Sequence, residues 1–186
     1  GEGKTIMAVS LAKMIAATGK KVIILDLDLR RSRMHKELGI TNRIGVSSVL
    51  SGSSTLEEAL QKEVLENIDV ITSGPKPPNP SELLVTEGFE KLMKTQSEKY
   101  EYIIFDTPPI GLVSDAMILL KTADIGLIVT RANYSKKAYL KNVDKFSKEH
   151  DLNNLGFILN GIESSKGHGY GYGYGYGYGS SKGYYD

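Results

Sequence analysis

The chain has 186 residues, of which 40% are hydrophobic and 24% charged, and a formal net charge of +1. That suffices for one domain with a buried core, and the near-neutral charge argues against a dedicated nucleic-acid binder. The absence of cysteine excludes disulfides and thiolate metal sites, and no apolar run approaches the ~20 residues that span a bilayer.

The chain opens on "GEGKT", the second half of a phosphate-binding loop at the start of a helix expected over Thr5–Thr18 and stopped by Gly19. With no Met and no strand before it, the sequence reads as a fragment whose central strand and first half-loop lie upstream. A membrane link would come from a partner or from such a further segment. "KKVIILDLDLR" contains a strand, Val22–Leu25, ending in Asp26 and Asp28. These acids alternate at the strand end and are expected on opposite faces, one toward a nucleotide. The basic run Arg30–Lys36 reads as a solvated face, with contact to phosphate or an acidic neighbour as the alternative. A second strand is expected at Ile68–Thr72, followed by the stiff connection "SGPKPPNP". In "NPSE", Asn79 as N-cap, Pro80 at N1 and Glu82 at N3 predict a helix to about Gln96.

Tyr102–Phe105 forms a third strand, ending in Asp106 and turned by Thr107–Pro108–Pro109. Helices are predicted over Ser114–Lys121 and Ser135–Glu149, the latter with an exposed lysine face, and strands over Ile125–Thr130 and Leu155–Asn160. The short β-branched strands alternate with helices, which predicts an α/β fold with a doubly wound, mainly parallel sheet. Ligands of such sheets lie beyond the carboxyl ends of the strands. From Ser164 onward Gly, Tyr and Ser alternate without a core-forming pattern, so residues 1–163 read as the folded unit and 164–186 as a flexible tail. Seven of the 11 tyrosines lie there: Tyr170, Tyr172, Tyr174, Tyr176, Tyr178, Tyr184 and Tyr185. Tyr134 and Tyr139, outside it, read as structural, and His35, His150 and His168 form no metal cluster in the sequence.

Three motifs carry chemistry. Backbone N–H groups of the glycine loop approach phosphate, Lys4 reaches the β- and γ-phosphates, and the Thr5 hydroxyl is a candidate Mg²⁺ ligand. Asp26 and Asp28 follow a buried strand. Asp106 ends another, where P-loop enzymes hold Mg²⁺ directly or through water. One Mg²⁺–nucleotide site would need all three together.

The order GEGKT, ILDLDLR, IIFDTPP resembles the deviant P-loop ATPases that include MinD and ParA. Within that group the chain is similar to the bacterial tyrosine kinases (BY-kinases) of capsule and exopolysaccharide synthesis. "ITSGPKPPNPSELL", "IIFDTPPIGLVSDA" and the tyrosine-cluster tail carry the closer likeness. The resemblance implies a P-loop NTPase fold and an ATP- and Mg²⁺-dependent protein-tyrosine kinase that autophosphorylates its tail tyrosines. Gly1, Glu2, Gly3, Lys4 and Thr5 would line the nucleotide phosphates, with Asp106 at the metal. Asp26 would help to activate the tyrosine hydroxyl, and Asp28 would help to organise metal or oligomer contacts. Asn160 falls where related ATPases contact adenine, and Arg30 closes the acidic motif.

A phenol with a pKa near ~10 reacts poorly at neutral pH, and a carboxylate in hydrogen-bond reach relieves this; Asp26 is the candidate. The implied partners are a transmembrane activator of the polysaccharide co-polymerase type, separate or fused upstream, and a cognate tyrosine phosphatase. Self-association into a ring and a cytoplasmic location at the inner membrane face are also implied, with no nucleic acid partner. A MinD/ParA-like positioning ATPase and a nucleotide-gated scaffold remain as alternatives, distinguished by phosphate transfer to the tail. Glycine between the tyrosines leaves the tail flexible enough to offer successive hydroxyls to one site.

Overall fold

The computed structural model describes residues 2–109 and 115–162. Its elements in chain order are α1 (Lys4–Ala16), β1 (Val22–Asp26), α2 (Met34–Leu38), α3 (Val46–Leu50), α4 (Leu56–Ala59), β2 (Gln61–Leu65) and β3 (Ile68–Ile71). There follow α5 (Pro80–Leu83), α6 (Glu87–Ser97), β4 (Tyr102–Asp106), α7 (Asp115–Thr122), β5 (Gly126–Arg131), α8 (Lys137–Glu149) and β6 (Leu155–Asn160).

β1 is the hub. Every residue of Val22–Asp26 is buried, and the strand pairs in parallel with β3 on one side and β4 on the other. β2 adds antiparallel to β3, completing the order β2-β3-β1-β4. The parallel pair β5–β6 forms a sheet of its own. The expected mainly parallel architecture is present, but these six strands do not form one continuous ladder, because β4 and β5 are not hydrogen-bonded to each other.

Alternation along β1 sorts the two sides of the larger sheet. Val22 and Ile24 pack with Ala12 and Ala16 of α1 and with Met34 of α2. Ile23 and Leu25 pack against Val46 of α3, Leu83 of α5, Phe89 and Leu92 of α6, and Leu119 of α7. This is a three-layer arrangement, with sheet residues covered on both faces. Asp26 and Asp106 continue the Val22/Ile24 and Ile104 parity, so both acids lie on the α1 side. Two apolar stripes thereby set where the site forms.

The structure corrects three expectations. The helix from Pro80 to about Gln96 is two helices: α5 ends at Leu83, and α6 starts afresh behind Thr86, whose hydroxyl caps Phe89 N–H. Asn79 is the N-cap residue of α5, with Pro80 following it as expected, but its side chain caps no backbone amide; its side-chain amide donates to Glu82 Oε2 at 2.7 Å. The threonine wins because its hydroxyl meets an orphan amide of the longer helix. The second correction is that residues 34–65, left without elements by the sequence pattern, hold α2, α3, α4 and β2. The three helices have five residues or fewer, too short for an apolar period to show. Thirdly, Asp28 is not on a strand: β1 stops at Asp26. The two acids are therefore not set on opposite faces of a strand, and residues two apart in a strand share a face.

Candidate nucleotide and phosphoryl-transfer site

The site lies where α1 begins and where β1, β4 and β6 end. Gly3 precedes α1 with φ 91°, left-handed backbone that glycine adopts at little cost. Its carbonyl accepts the first helical bond, from Met7 N–H at 2.9 Å. The amide of Asn160, the last residue of β6, donates to the Glu2 carbonyl at 3.0 Å. A Cβ on Gly3 would crowd that Asn160 amide, so glycine here serves both conformation and close approach. Lys4 Nζ pairs with Glu2 Oε2 at 3.0 Å.

Thr5 and Asp106 are 101 residues apart, yet Thr5 Oγ1 donates to Asp106 Oδ2 at 2.6 Å. Burial pushes the Asp106 carboxyl up to about 6, with the Thr5 hydroxyl opposing, Asp28 adding to the rise and Lys4 opposing it. Asp26 pairs with Asp106 across the β1–β4 ladder. Burial raises Asp26 to about 7; the Ser32 hydroxyl opposes this, Asp106 adds to it, and the Ser73 and Asp28 N–H groups oppose it. Two buried acids side by side, with more burial than compensation, suit a nearby cation.

Asp28 works locally. Its Oδ1 accepts Arg30 N–H at 3.3 Å and Arg31 N–H at 3.0 Å, closing the turn after β1 as an Asx residue does. Within the basic run Arg31, Arg33 and Lys36 are exposed, but Arg30 Nη2 donates to Ser81 Oγ at 2.9 Å and ties that turn to α5.

The structure therefore gathers Glu2, Gly3, Lys4, Thr5, Asp26, Asp28, Asp106 and Asn160 into one region. Gly1 and the seven tail tyrosines lie outside the described residues. Tyr100 is not an equivalent acceptor: burial, reinforced by its 2.5 Å hydrogen bond to Asp69, pushes its phenol well above the usual range. Two partners of Asp26 escaped sequence reasoning. The Ser32 hydroxyl donates to Asp26 Oδ2, and Ser73 N–H donates to the same oxygen at 3.3 Å. Ser32 is embedded in a basic run and Ser73 opens the proline-rich connection, so only the turn geometry reveals either.

That connection is anchored beside Asp26. Gly45 lies so close to the Thr72 carbonyl and to Gly74 that no Cβ fits between them. Asn42 holds Gly74 from both sides, its Oδ1 accepting Gly74 N–H at 2.9 Å and its Nδ2 donating to the carbonyl at 3.0 Å.

Hydroxyl and carboxylate oxygens are the donors that Mg²⁺ selects, usually with waters and substrate phosphates completing its shell. Thr5 and Asp106 offer such a pair, so the residues present fit the ion.

Known proteins share this fold and part of this sequence. Residues 1–155 match the AAA domain family. The chain is 39% identical over 166 residues to tyrosine-protein kinase YwqD of Bacillus subtilis, covering 89% of this chain and 70% of that protein. It is 37% identical to tyrosine-protein kinase wzc of Salmonella typhimurium, but spans only 22% of that length. The kinase domain of Escherichia coli tyrosine kinase ETK superimposes with a TM-score of 0.83 at 34% identity, covering 94% of this chain and 68% of that one. MinD from Pyrococcus horikoshii, solved with Mg-ADP, gives a TM-score of 0.68 at 26% identity, covering 86% of this chain and 65% of that one.

Proposed function

The chain belongs to the bacterial tyrosine-protein kinases, within the AAA domain family, and from that premise we propose that it transfers the γ-phosphoryl group of ATP to the tyrosines of its own tail. We read this as a control on capsular or exopolysaccharide synthesis or export. The observation that carries the reading is the Thr5–Asp106 hydrogen bond, which joins the phosphate loop to a strand end paired with Asp26.

Phosphoryl transfer asks a protein for positioning and charge neutralisation more than for covalent chemistry. Gly3, with Gly1 before it in the loop sequence, is proposed to leave backbone N–H groups open to the phosphates, and Lys4 to exchange Glu2 for the γ-phosphate. Thr5 and Asp106 would hold Mg²⁺, which when bound neutralises charge on the β- and γ-phosphates. Asn160, fixed on the Glu2 carbonyl, is the proposed adenine contact. Asp26, raised to about 7, has the proton affinity of a base near neutral pH. Asp28 shapes the turn behind it and is proposed to organise metal or oligomer contacts.

Tyr170, Tyr172, Tyr174, Tyr176, Tyr178, Tyr184 and Tyr185 are the proposed acceptors. From Ser164 the ~22 residues at ~3.3–3.6 Å each reach ~70 Å, far enough for the tail's own site or a neighbour's in a ring. A membrane activator and a tyrosine phosphatase complete the proposed circuit at the inner face of the membrane.

Incubation of the chain with radiolabelled ATP and Mg²⁺ tests the reading. Label should appear on the protein, and both Lys4→Met and a variant with all seven tail tyrosines changed to Phe should lose it. Undiminished label in the Phe variant would refute the tail as main acceptor. Phosphate released only to water would indicate the MinD-like ATPase.

A further inference from the structure

Asp26 has no exposed surface, 0%. Both its oxygens already accept hydrogen bonds: Oδ1 from Asp28 N–H at 3.3 Å, and Oδ2 from Ser73 N–H at 3.3 Å and from the Ser32 hydroxyl. A tyrosine arriving from solvent therefore cannot touch the carboxylate as it stands. Two of the three donors are main-chain groups, which give a hydrogen bond but cannot relay a proton. The third can, since a hydroxyl both donates and accepts. Ser32 is half-buried, in the turn between β1 and α2, with its neighbours Arg31 and Arg33 exposed. It thus spans the distance between the buried carboxylate and the surface. Because Ser32 Oγ–H already donates to Asp26 Oδ2, the lone pairs of Oγ remain to accept from an incoming phenol.

We infer that Ser32 is a further catalytic residue of the transfer, the group that meets the acceptor tyrosine and connects it to Asp26. As the phenol oxygen bonds to the γ-phosphorus, the bond from that phosphorus to the β–γ bridging oxygen breaks, and ADP leaves with the bonding pair. The phenol proton passes to Ser32 Oγ, and the former Ser32 proton passes to Asp26 Oδ2. No other reactant is needed. This rests on the reading of Asp26 as the base.

The test measures steady-state transfer from ATP with Mg²⁺ to a synthetic Gly-Tyr repeat peptide, using the full chain, together with ATP affinity as a check on the folded site. Ser32→Ala should lower kcat by roughly 10²-fold or more, the scale of a positioned proton-transfer group, with ATP affinity unchanged. Ser32→Thr, which keeps the hydroxyl, should recover most of the loss. Asp26→Asn should fall at least as far, and the double variant should be no worse than Asp26→Asn, as expected of groups acting as one unit.

A Ser32→Ala enzyme with normal kcat beside an inactive Asp26→Asn overturns the relay and leaves the base in place. Normal kcat in Asp26→Asn overturns the base and the relay together. An effect confined to the peptide KM, or an equal loss in Ser32→Ala and Ser32→Thr, reduces Ser32 to a packing or docking residue and overturns the inference.

Discussion

Asp26 and Asp106 show what two neighbouring strand ends do to their acids. Free carboxyls of this type titrate near ~3.9, whereas burial first, with the Asp28 charge adding at Asp106 and the Asp106 charge adding at Asp26, raises Asp106 to about 6 and Asp26 to about 7. The folded chain thus holds protons that the unfolded chain has released across that window. Stability from these groups is full below the unfolded value and is lost as pH rises through about 6 and then about 7. Thermal melts in a chelating buffer should show a falling Tm from pH 5 to pH 8, and Asp106→Asn should fall less over the same range. An identical slope in the variant would mean that Asp106 is not one of the groups responsible. Legibility at this scale was uneven. Lys4, Thr5 and Asp106 announce themselves, since a Gly-Lys-Thr before a helix and an Asp after an apolar strand have few other uses. Asp28 does not: its sequence spacing from Asp26 suggests a strand partner, and its side chain instead closes a turn.

Among the elements, α6 carries an anomaly. Gln96, in its last turn, is 1% exposed, and neither side-chain amide atom has a hydrogen-bond partner. A buried polar group without a partner costs about 1–3 kcal/mol, so Gln96→Met, similar in length and apolar, should raise the free energy of unfolding by about that amount in urea titrations. A destabilised variant would show that the amide is satisfied by buried water. Longer elements were legible because their apolar periods were long enough to read: α1, β1, β3, β4, β5 and β6 begin and end within a few residues of expectation. The break at Leu84–Thr86 was not. "SELLVTEGFEKLMK" continues an apolar helical pattern across it, and Thr86 restarts the helix only because its hydroxyl is placed on Phe89 N–H.

At the scale of the whole molecule the issue is charge. The chain carries a formal net charge of +1, and each phosphotyrosine adds about −1.5 to −2 at neutral pH. Seven modified tyrosines would add roughly −10 to −14, all on one segment. Tails gathered around a ring would then repel one another, so light scattering should report a smaller particle after ATP and Mg²⁺ treatment than before. Equal size before and after, with label present on the tail, would count against charge-driven disassembly. No helix of the described residues is long and apolar enough to cross a membrane.

The sequence by itself determined the local chemistry and the layer type. Short β-branched runs between helices imply a parallel sheet, and strands buried on both faces leave their polar residues at the carboxyl ends. Convergence was a matter of tertiary structure alone. Thr5 meets Asp106 because β1 pairs with β4 in a register that sets Asp26 opposite Asp106, and because α1 packs on the face toward which both point. Pairing register and the covered face are properties of contacts between distant segments, and no local pattern encodes them. Ser32 belongs with these: a serine in a basic run meets a buried carboxylate only because the turn folds back and sets its hydroxyl on Asp26.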